Sequence, residues 1–122
     1  MSTRAHFRVR ETTGPGNGAR TGPSSRNGSM QPLMLFRLGR LCATNGAVRT
    51  LTRAAADPIE YVARHLAGDW GDVDAADAAA NDRAVQVGER IISAYQLDDG
   101  SKIWIITEAD RSATTILLPS DY

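Results

Sequence analysis

The dipeptide Asp99-Gly100 stands between two stretches rich in apolar and β-branched residues, Arg90–Leu97 and Lys102–Thr107, and it constrains the fold more than any other feature. Asp-Gly, within the connection Asp98-Asp99-Gly100-Ser101, is the strongest short hairpin signal, so the flanking stretches are expected as antiparallel strands. On the second strand Ile103 and Ile105 face one way, while Lys102, Trp104 and Ile106 face the other. Apolar side chains on both faces mark a central strand. Glu108–Arg111 forms the next turn, and Ser112–Leu118 reads as a third strand ending at Pro119. The C-terminal third is therefore read as an antiparallel meander of three strands. A fourth, short edge strand is expected within Leu35–Cys42.

Upstream the period lengthens from 2 to 3.6. Asn45 is expected to cap a helix over Gly46–Ala55. Asp57, Pro58 and Glu60 stand at the cap, first-turn and capping-box positions of a second helix, with Ile59, Val62, Ala63 and Leu66 as its apolar stripe and Gly68 as its stop. A third helix is expected from the Asp74 cap to Val87, stopping at Gly88. Its stripe of Val73, Ala76, Ala80, Ala84 and Val87 is made mostly of alanine. Two to three short helices packed on an antiparallel meander give an α+β domain.

Residues 1–33 differ from the rest. Gly, Pro, Ser, Thr and Asn fill 18 of these 33 positions, and a segment so poor in apolar side chains is expected to be disordered. The domains are thus a tail, 1–33, and a single small domain, 34–122. A start of translation at Met30 or Met34 fits this contrast. The chain's 14 basic and 14 acidic residues cancel, but the tail carries +4 and the domain −4. The basic tail leaves a nucleic-acid contact open, while the acidic domain points to a protein partner. No apolar run approaches the length needed to span a bilayer. One cysteine, Cys42, excludes an internal disulfide framework. A soluble cytoplasmic protein is expected, with no cofactor and no metal site.

Three clusters could carry chemistry. His65 lies off the expected apolar stripe at the end of the second helix. There the helix dipole favours its charged form, with Asp69 to orient it and Trp70 to plug the core or stack on a ligand. Asn81 and Asp82 sit mid-helix, where neither residue type is favoured, and a hydrogen bond to nearby backbone would explain Asn81. Glu108, Asp110 and Arg111 share a turn. They suit a base, an orienting carboxylate and a phosphate clamp, or equally a turn closed by its own side chains.

The stretch His65-Leu-Ala-Gly-Asp-Trp-Gly71, then Asn81-Asp82, Gly88–Tyr95 and above all Trp104–Pro119 resembles a family of small bacterial proteins found on plasmids and other mobile elements. The resemblance covers about residues 35–122. Members often bear the label "type I restriction endonuclease subunit M". A methylating subunit needs a cofactor-binding domain with a glycine-rich loop and an Asn-Pro-Pro-type base pocket, and this chain has neither. The resemblance implies a mobile-element setting and little chemistry.

Two functional classes follow. One is an acidic accessory protein that binds another protein, supported by the aspartates at 69, 72, 74, 77 and 82. The other is a small hydrolase or ribonuclease with the topology of the RelE-like toxins, using His65, Glu108, Asp110 and Arg111. The acidity of the domain counts against an RNA substrate.

Overall fold

The computed structural model describes residues 34–122. The tail expected to be disordered lies outside the described residues. In chain order the elements are β1 (Arg40–Ala43), α1 (Asn45–Arg53), α2 (Pro58–Leu66), α3 (Ala75–Val87), β2 (Ile91–Gln96), β3 (Lys102–Thr107), β4 (Ala113–Leu117) and a final 3-10 turn, Pro119–Asp121. The class is α+β, as the periodicities require.

The strands form one sheet in the order β1-β4-β3-β2. β2, β3 and β4 make the expected meander, with β3 internal between its two neighbours. The sheet as a whole is not antiparallel, because β1 joins β4 in parallel, Arg40 opposite Ala113 and Ala43 opposite Ile116. A parallel pair needs a long crossover, supplied here by all three helices and the hairpin, so no local sequence signal announces it.

Local capping explains the helix starts. The α1 cap is Thr44 and not Asn45: its hydroxyl accepts from the Ala47 N–H and donates to Asp121 at the far end of the chain. Asp57 caps α2 through Ile59, Asp74 caps α3 through Asp77, and α3 stops at Gly88.

The faces of two helices differ from the expected stripes. α2 buries Tyr61, Val62, His65 and Leu66, while Ile59 and Ala63 stay exposed. α3 buries Asn81 and Ala84, and leaves Ala76, Ala80 and Val87 exposed. Helices α1 and α2 cover the sheet face of Ile103, Ile105 and Ile116, which cluster with Leu51, Val62 and Leu66. A second cluster joins Trp70, Val73 and Ala84 to Ile91, Ala94, Trp104, Ile106 and Leu117. Trp104 is 8% exposed and meets Tyr122 edge-on, ring centres 5.3 Å apart.

Candidate functional site

The register puts Ser93, Thr107 and Thr114 side by side on the face that α2 covers, and α2 lowers His65 onto them. His65 is wholly buried. Its Nδ1 lies 2.6 Å from Ser93 Oγ and its Nε2 2.9 Å from Thr107 Oγ1. Thr107 Oγ1 is 2.7 Å from Thr114 Oγ1, whose hydroxyl donates to the Leu38 carbonyl at 2.8 Å.

The carbonyl can only accept, and with the buried ring neutral that fixes every proton in the chain. Thr114 donates to Leu38, so Thr107 donates to Thr114. His65 then carries its proton on Nε2 and donates to Thr107, and Ser93 donates to Nδ1. The ring is a neutral imidazole with both nitrogens engaged. Burial, and then the charge of Arg111, hold its pKa down to about 3. The expectation of a charged His65 at an open helix end is thus corrected: helix rotation turns it inward, where desolvation outweighs the dipole.

Asp69 does not orient His65. Its carboxylate takes Arg64 Nε at 2.7 Å and the Gly71 N–H at 3.3 Å, and the Arg64 guanidinium lies over the Tyr95 ring. Trp70 is 5% exposed and stands edge-on to His65, ring centres 6.0 Å apart, so it plugs the core and offers no stacking surface. Its indole N–H donates to Asp82 Oδ1 at 3.0 Å, which gives Asp82 its place in α3. Asn81 is buried, donates to the Ile92 carbonyl at 2.8 Å and accepts from the Ile92 N–H at 3.2 Å. One side chain thereby imitates a neighbouring strand along β2.

In the turn between β3 and β4, Asp110 accepts from Ser112, whose hydrogen bonds hold the carboxyl below its usual range. Glu108 faces Arg90 at 3.8 Å in an exposed ion pair. Arg111 takes a left-handed backbone, φ 61°, which costs a non-glycine residue on the order of 1 kcal/mol. Its guanidinium turns inward. It donates to the carbonyls of Ala84 and Glu89 at the end of α3, at 2.9 and 2.7 Å, and of Glu108 at 3.1 Å. Arg111 is therefore a tie between turn and helix, not an open phosphate clamp. Gly39 makes the tie possible, because a side chain there would collide with the backbone of Arg111 and Ser112.

Of the eight candidates, the structure brings together Trp70 with Asp82 and Trp70 with His65. Arg111 also meets Glu108, but only through the Glu108 carbonyl, and Asp69, Asn81 and Asp110 are each bonded to residues outside the set. Among the described residues no group of three His, Cys, Asp or Glu side chains is placed to hold a metal ion. No helix among the described residues is long and apolar enough to cross a membrane.

Sequence reasoning missed the three hydroxyls that hold His65. Their signal was a Ser or Thr at an inward position of every meander strand. It also missed an apolar groove of about 350 Å³ beside β1, lined by Leu41, Val48, Leu51, Pro58, Ile59 and Ile116 among others. Ile59, assigned to the buried stripe, is 58% exposed and forms one wall. No protein-family model matches the chain, and no curated protein or solved structure matches it.

Proposed function

We propose that the protein acts by binding another protein, as a cytoplasmic accessory factor of a plasmid or other mobile element, and not by catalysing a reaction. The observation that supports this reading is the occupation of the reactive side chains. Both nitrogens of His65 are bonded to hydroxyls, the Arg111 guanidinium holds backbone carbonyls, and Asp110 closes its own turn. A general acid or base needs a pKa near the working pH and access to substrate. His65, wholly buried with its pKa near 3, has neither.

Charge supports the same reading. Residues 57–122 hold thirteen acids against five bases, a surface suited to a basic partner such as a nucleic-acid enzyme. The resemblance of the Trp104–Pro119 block supports the mobile-element setting.

The test is affinity capture with the tagged full-length chain from nuclease-treated lysate, followed by intact-mass analysis of the eluate. A stoichiometric protein partner is expected. Cleavage of mixed RNA by the wild type that disappears in Asp110→Ala would overturn the reading in favour of the ribonuclease.

A further inference from the structure

Among the described residues β1 is the outer strand of the sheet on its side. Its inner edge is bonded to β4: the Arg40 N–H donates to Ser112 and the Thr44 N–H to Ile116. In a parallel ladder the intervening residues point the other way, so Leu41 and Ala43 direct their N–H and C=O groups outward. The same two residues also line the apolar groove, with Val48 of α1 and Ile59 of α2 across from them. Leu41, Val48 and Ile59 are 41%, 49% and 58% exposed. A backbone edge with no partner among the described residues, and an apolar trough beside it, is the geometry of strand addition.

The charges select the occupant. Residues 34–56 carry Arg37, Arg40, Arg49 and Arg53 and no acid at all. Arg40 is exposed and alternates with Leu41, so it stands on the sheet face opposite the groove. A second copy fits poorly. Two-fold pairing of β1 with itself puts both Arg40 side chains on one face of a continuous sheet, with no acid from 34–56 between them.

We propose that the β1 edge binds an extended peptide segment of a partner protein in which apolar and acidic residues alternate. The apolar set enters the groove between Leu41, Val48 and Ile59, and the acidic set meets Arg40 on the other face. This adds to the acidic surface of residues 57–122 a contact of opposite sign on residues 34–56, and it rests on the interaction reading.

The test is selection from a display library of random peptides about ten residues long, a strand's length, on the full-length chain. The expected consensus alternates apolar and acidic positions. Titrated into labelled protein, the selected peptide shifts the amide resonances of Leu41 and Ala43 and slows their exchange. Arg40→Glu weakens it roughly three- to tenfold, the effect of reversing one cross-strand charge pair. Ala43→Pro abolishes binding by removing an outward N–H, and Ile59→Asp, on an exposed side chain, weakens it with the fold intact.

No enrichment, a basic consensus, a helical spacing, or resonance shifts away from β1 would overturn the proposal. So would a concentration-dependent dimer that Ala43→Pro dissolves, since the occupant is then a second copy. A lysate partner retained equally by wild type and Ala43→Pro excludes this edge and leaves the interaction reading standing. A selected peptide seated on β1 with no lysate partner does the reverse.

Discussion

The two edges of the sheet are treated differently. Along β2, Ile92 has both backbone groups bonded to the Asn81 amide. Ala94 accepts from the Asp72 N–H and donates to the Trp70 carbonyl. Gly71 lets that loop approach, because a side chain there would strike the Ala94 carbonyl and the Tyr95 ring. Trp70 and Asn81, singled out as chemical candidates, thus act as edge covers. Along β1 the outward groups of Leu41 and Ala43 have no such cover among the described residues, and an apolar groove lies beside them. Exposed edges invite pairing with other chains, and folds blunt those they do not use. One edge is thus sealed by a buried amide, and the other, among the described residues, is left bare beside an apolar trough.

The sheet's centre sets the scale against which both edges are measured. Trp104 lies on β3, flanked on both sides and 8% exposed. Trp104→Ala is expected to cost about 3–5 kcal/mol, the range for emptying a large core site. Urea or thermal unfolding checks it, and a loss under about 1 kcal/mol would contradict the central role of β3.

The next effect is acid sensitivity centred on His65. Its folded pKa is near 3, against 6.5 for the free side chain. The unfolded chain therefore takes up the proton first as pH falls, so this contribution to stability is complete above about pH 6.5 and drains away between there and pH 3. Over that interval the loss is about 4 kcal/mol. Urea unfolding across a pH series measures it. His65→Gln should flatten the slope while lowering stability at neutral pH, and an unchanged slope would show that the ring does not carry it.

Asn81→Ala separates the two edges directly. It strips both partners from the part-buried backbone of Ile92, and two unsatisfied groups cost roughly 2–4 kcal/mol together. Hydrogen exchange at Ile92 and a shifted unfolding midpoint are the readouts, with the β1 amides unaffected.

What the sequence revealed follows the range of the forces involved. Asp57 with Pro58, Asp74 with Gly88 and Asp99-Gly100 act within a few residues, and the structure keeps each where the local chemistry puts it. The inward face of α2 was not legible. Ile59 and Ala63 are apolar and His65 polar, so periodicity placed Val62 and Leu66 rightly in the buried face but put Ile59 and Ala63 where Tyr61 and His65 belong. Only the coincidence of Ser93, Thr107 and Thr114 beneath the helix makes His65 the better core residue. The parallel pairing of β1 with β4 joins residues about seventy positions apart and has no local signature. Most of the candidate chemistry dissolved for the same reason: Arg111 and Asn81 find their backbone partners through tertiary contacts that spacing does not encode.

The smallest expected effect is the sharpest test of the comparison. Ala43→Pro removes one backbone N–H from β1, as Asn81→Ala removes two bonds from β2, but the group it deletes points away from the sheet. The ladder donors Arg40 and Thr44 are untouched. Proline is tolerated on an edge strand when its missing N–H faces solvent, and its stiffness offsets part of any strain by restricting the unfolded chain. The expected change is under about 1 kcal/mol in either direction. A loss as large as that of Asn81→Ala would mean that the β1 edge is covered after all, and the asymmetry between the edges would fall with it.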